Sequence, residues 1–136
     1  MESTTLSIDE KMTVRRVRSF FTDELPKLQL QAHVRLSSVN LSDMPAHQSN
    51  ENMTVDKMTK QVQARMYLDD MVETLSVLPD IEQRVITLKY INGLQWFAIS
   101  ERLHLSVKRL KEVMQQALNV FGIAYAETLN LIDEGE

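Results

Sequence analysis

Apolar residues recur along most of this chain with the spacing of helix faces, so the pattern predicts an all-α protein of four or five helices. Ser7-Ile8-Asp9-Glu10 has the form of a capping box, and Val14, Val17, Phe21 and Leu25 follow at helical intervals until Pro26, which is expected to stop the run. In residues 27–35 the signal is mixed, because Leu28, Leu30 and Ala32 alternate as in a strand yet have no evident partner strand. Residues 37–52, rich in Ser, Asn and Asp with Pro45 inside, read as a loop or linker. A long helix is expected over residues 55–77, with Met58, Val62, Leu68, Met71, Val72 and Leu75 on its buried side.

Pro79 suits the opening of the next helix, with Asp80 and Glu82 in its first turn, and Asn92-Gly93 ends it. The following stretch has the spacing of a helix-turn-helix. If its first helix starts near Trp96, then Ile99, Leu103, Leu105, Leu110 and Val113 fall on one shared core, with the small Ser100 where the two helices cross. Ser106 suits the N-cap of the second helix, a role typically worth about 1 kcal/mol. The turn needs a left-handed residue and has His104 in the place where Gly is common. The second helix is expected to continue through Ala117, Phe121, Ala124 and Tyr125 towards Leu131, with Gly122 costing it about 1 kcal/mol relative to Ala. The same residue pattern would also suit an ordinary helical hairpin whose apolar positions are only core.

The flanks narrow the choice. Leu78-Pro79-Asp80, Glu82, Arg84, Val85, Leu88, Tyr90 and Asn92-Gly93-Leu94 resemble the entry to region 4 of bacterial sigma factors. Ala117-Leu118, Phe121 and Ala124-Tyr125, together with the upstream Met44-Pro45 and Ser49-Asn50-Glu51-Asn52, resemble the ArpU family of phage and prophage transcriptional regulators. That resemblance covers most of the chain. It implies an N-terminal helical arm (residues 1–36), a linker (residues 37–53) and a sigma region 4-like helix-turn-helix domain (residues 54–136). It also implies control of phage or prophage genes of the late, packaging or autolysin type. The chain departs from the pattern at Ala98, at His104, and at Glu112 and Met114-Gln115-Gln116, where the family has a basic cluster.

With 136 residues, 43% of them apolar, the chain can bury one core of ordinary size. It has no cysteine, which excludes disulfides, thiolate nucleophiles and cysteine-ligated metals. There is no signal-like or membrane-spanning run, so a cytoplasmic place in a bacterial host is expected. The net charge of −4 disfavours histone-like binding, because sequence-independent affinity for DNA comes from Lys and Arg. Local charge therefore matters more than the total. Lys108, Arg109 and Lys111 cluster at the start of the second helix, where the helix dipole also favours phosphate. Arg15, Arg16 and Arg18 form a second basic cluster.

The expected partner is double-stranded DNA, with the helix from Ser106 in the major groove. The Ser106 backbone and Lys108 would hold phosphate, and Arg109, Glu112 and Gln116 are candidates for base edges, Arg suiting guanine and Glu suiting cytosine. Val107, Lys111 and Gln115 are further DNA-binding candidates on the same helix. Arg84 and Lys89 on the preceding helix would touch the DNA backbone. One such unit offers limited contact area, so a second copy or RNA polymerase is an expected further partner. The alternative is a sigma-like interaction module that contacts RNA polymerase or another regulator and binds little DNA itself. No catalysis, cofactor or metal is expected. Asp69, Asp70 and Glu73 read as a solvated acidic face; His33, His47 and His104 lack the paired spacing of a zinc site; and the eight Met residues read mostly as core filler. Trp96 and Phe97 are adjacent and point about 100° apart on a helix, so one is expected against a neighbouring helix or a partner, in core packing rather than base stacking.

Overall fold

The computed structural model describes residues 7–36 and 55–134, and all regular structure among them is helical. The expected linker, with Met44-Pro45 and Ser49-Asn50-Glu51-Asn52, lies outside the described residues. Helix α1 (Ile8–Ser19) opens on a complete capping box: the Glu10 N–H donates to Ser7 Oγ at 3.1 Å, and the Ser7 N–H donates to Glu10 Oε1 at 2.9 Å.

A π turn (Phe20–Glu24) follows, in which the Leu25 N–H reaches back to the Phe20 carbonyl. It leads into α2 (Leu25–Ala32), so Pro26 does not stop the run as expected. The proline sits in the first turn of α2, where its missing N–H costs no intrahelical bond, and the widened turn before it takes up the irregularity. Phe20 joins Phe21 in the core, although neighbours on a regular helix point well apart, and their rings meet edge to face at 5.2 Å. The mixed signal of residues 27–35 resolves as helix as far as Ala32, with Leu28 and Ala32 buried and Leu30 78% exposed. His33 ends α2 in the left-handed conformation, and its N–H closes onto the last turn.

Helix α3 (Val55–Ser76) lies against α2 and buries Ala64, Leu68, Met71 and Leu75. Two residues expected on that buried side are not in the core. Met58 is only partly covered, and Val62 is 36% exposed; with Met66, Tyr67 and Leu131 they line an open apolar groove of about 620 Å³. The methionines divide similarly, Met71 and Met114 being buried while Met12 and Met66 are exposed.

Helix α4 (Asp80–Ile86) begins at Pro79, passes into a second π turn (Thr87–Ile91), and stops at Asn92 before Gly93 at φ 73°. Helices α5 (Trp96–Leu103), α6 (Val107–Ala124) and α7 (Ala126–Glu134) complete the chain. The chain breaks helical geometry at Tyr125, so the helix expected to run on towards Leu131 is two helices.

Helix α6 is the central element. Helix α1 packs on it from one side and α4 from another, so the apolar stripe of the N-terminal segment is covered by its own chain. Helix α7 is fastened back to α3. The Tyr125 hydroxyl donates to the Tyr67 carbonyl at 2.7 Å, burial raises its pKa well above the usual phenol value, and the Thr128 hydroxyl donates to the Asp70 carboxylate. The acidic face expected to be merely solvated is therefore partly structural: Asp70 holds α7, and Asp69 pairs with the buried Arg65 at 3.4 Å.

Glu82, in the first turn of α4, has a buried Oε1 without a hydrogen-bond partner, and desolvation pushes its carboxyl pKa up. A raised folded-state pKa means that the protonated acid contributes stability, fully present below the unfolded value of about 4.3 and lost as pH rises through the folded value. Glu82→Gln removes the titration. Its melting temperature is expected to gain on the wild type as pH rises above about 4. A difference independent of pH in thermal circular dichroism would refute this account.

Candidate nucleic-acid interface

Helices α5 and α6 are joined by a short turn whose geometry follows from three residues. His104 takes the left-handed conformation (φ 59°, ψ 40°), a strained choice for a residue with a Cβ that typically costs about 1–2 kcal/mol. Ser100 offsets part of this, because its hydroxyl donates to the Leu105 carbonyl at 2.5 Å and ties the turn to the helix before it. Ser106 then caps α6, accepting the Arg109 N–H at 3.1 Å. Beneath the turn Ile99 and Leu110 are fully buried, Val113 nearly so, and Leu103 and Leu105 partly, which is the shared core expected for this pair.

The opposite side of α6 carries the charge. Lys108, Arg109, Lys111, Gln115 and Gln116 are exposed along it, and Val107 and Glu112 are half-buried. No acidic residue occupies the first turn of α6, whereas α1 has Asp9 and Glu10 there and α4 has Asp80 and Glu82. Cations beside a helix N-terminus oppose the macrodipole by about 0.3–1 kcal/mol each, so this arrangement costs the isolated protein stability that a bound anion would restore. Arg109 is not idle: it donates to Glu112 Oε1 at 3.2 Å within the helix.

Two sequence-predicted residues from different elements converge on one ring. Lys89, from the second π turn, holds its Nζ over the Trp96 ring at 5.0 Å from the centroid, and Lys111 of α6 holds its own at 6.0 Å. Trp96 is half-buried at the start of α5, while Phe97 beside it is 70% exposed. The sequence places one of Trp96 and Phe97 against a neighbouring helix or a partner, and does not foretell that Trp96 gathers lysines. The signal that it gathers lysines lay in contacts across three elements, which no local pattern carries.

Other candidates are engaged elsewhere. Arg84 pairs with Asp80 at 3.2 Å one turn back on α4, an exposed pair worth little. Arg16 of the N-terminal basic cluster donates to Asn130 Oδ1 at 2.8 Å and so helps join α1 to α7. Arg15 and Arg18 are exposed.

Among the described residues no group of His, Asp and Glu is arranged to hold a metal ion, and no helix is long and apolar enough to cross a membrane. Comparison of the chain with protein-family models, with curated proteins and with solved structures finds no match.

Proposed function

We propose that this chain binds double-stranded DNA through α5 and α6 and regulates transcription of phage or prophage genes, in the manner the resemblance to the ArpU family implies. The observation that carries the reading is the division of α6 into a buried face that anchors it and an exposed face bearing Lys108, Arg109, Lys111, Gln115 and Gln116. A helix held on one side and presenting donors on the other is what major-groove readout requires. Ser106 and Lys108 meet phosphate, and Arg109, Glu112 and Gln116 face base edges.

The Arg109–Glu112 pair does not oppose this. An exposed ion pair is worth about 0.2–1 kcal/mol, whereas a bidentate arginine–guanine contact discriminates by about 1–3 kcal/mol, so the base outcompetes the glutamate.

The test is binding to DNA upstream of neighbouring genes over a range of salt. Lys108→Ala is expected to lower the salt slope by about 0.9 and weaken all sequences alike, while Arg109→Ala costs about 1–3 kcal/mol at one base position. Affinities indifferent to both substitutions would end the assignment.

A second reading, a module that contacts RNA polymerase or another regulator, is favoured by the exposed Phe97 and by the net charge of −4. Glu112→Gln separates the two. Relaxed discrimination at one base pair supports direct reading, and uniformly tighter DNA binding with unchanged preference supports recruitment by a partner.

A further inference from the structure

We infer that Lys89, Trp96 and Lys111 form a sequence-independent anchor for the phosphate backbone of a nucleic-acid duplex, separate from the positions on α6 that would read bases. This rests on the DNA-binding reading and adds to it a defined contact outside the reading helix's first turn.

The two lysines are far apart in sequence, one on the π turn after α4 and one on the second turn of α6, yet both ammonium groups lie within 6.0 Å of one indole centroid. Each ammonium is drawn to the negative π face of the indole, which holds in place a side chain that would otherwise be loose. An anionic backbone running past Trp96 then meets lysines whose freedom has already been reduced, which lowers the ordering cost of binding.

Nearby acids do not compete for the pair. Glu112 accepts from Arg109, Asp80 pairs with Arg84, and among the described residues neither Lys89 nor Lys111 has an ion-pair partner. The occupant is a phosphate backbone rather than an acidic protein surface because the same helix bears Arg109, Gln115 and Gln116 on its exposed side, hydrogen-bonding groups suited to base edges. A duplex supplies dense, regular negative charge next to those edges.

Trp96 is the chain's only tryptophan, so its own emission reports on the anchor. The full chain is titrated with a short mixed-sequence duplex at several salt concentrations, and separately with polyglutamate at matched charge. The duplex is expected to change the Trp96 emission saturably. The double variant K89Q/K111Q should lower the salt slope by about 1.8 without altering preference among sequences. Trp96→Leu should also lower it, and Trp96→Phe should largely retain it, both followed by the anisotropy of a labelled duplex because neither variant has a tryptophan, with circular dichroism melts checking that each variant is folded.

An unchanged slope in the double variant while Lys108→Ala still lowers it would overturn the anchor and leave the DNA reading standing. An equal emission change with polyglutamate would overturn the nucleic-acid assignment of the anchor. Absence of any duplex binding by the wild-type chain would overturn anchor and reading together.

Discussion

Phe121→Ala is expected to lower the free energy of unfolding by about 3–5 kcal/mol, a large share of the roughly 5–15 kcal/mol available to a domain. Phe121 is fully buried on α6 and meets Phe21 at 5.1 Å and Tyr125 at 4.9 Å, both nearly edge to face. Phe20 closes the group, 5.4 Å from Tyr125. The ring thus joins the N-terminal helices to α6 and to the start of α7. Its removal forfeits the transferred area and leaves a cavity that stiff aromatic neighbours cannot fill. Urea unfolding should show a much lower midpoint with an unchanged slope. A loss below about 1 kcal/mol would mean that the cluster is not the centre of the core.

Gly122→Val is expected to cost about 3 kcal/mol, at the upper end of overpacking. From sequence alone this glycine weakens a helix, and replacing it should help by about 1 kcal/mol. Packing reverses the sign. A Cβ at this position would collide with Thr13 Cγ2 and would lie 2.8 Å from Val17 Cγ2, because α1 crosses α6 there. Val17 is buried and β-branched, so it cannot rotate away freely. Gly122→Ala should destabilise less than Val. Combining it with Thr13→Ser, which removes the colliding methyl but keeps the hydroxyl that donates to the Asp9 carbonyl, should recover part of the loss. Additive effects in that double-mutant cycle would show that the two residues do not touch.

Much of the candidate site was legible because its parts are local. The Ser106 cap, the left-handed His104, and the apolar offsets of Ile99, Leu110 and Val113 each depend on residues within a few positions, and the structure has all of them. The Arg109–Glu112 pair is also local, three residues apart on one helix, yet charge pattern alone does not say whether the two groups face each other or a ligand. The convergence of Lys89 and Lys111 on Trp96 was not legible, since it needs the second π turn, α5 and α6 assembled first.

The same division runs through the whole chain. Helical period, the Ser7–Glu10 capping box, the opening at Pro79 and the stop at Asn92-Gly93 were determined by the sequence itself, because caps, proline and glycine act through backbone bonds to near neighbours. Tertiary structure decided that Phe20 turns inward with Phe21 and that Asp70 fastens α7 rather than facing water. It also decided that Gly122 is the crossing point of two helices and that Val62 lines a groove. In each of these cases the determining contact comes from a distant part of the chain, and burial against that partner outweighs a local preference of about 1 kcal/mol.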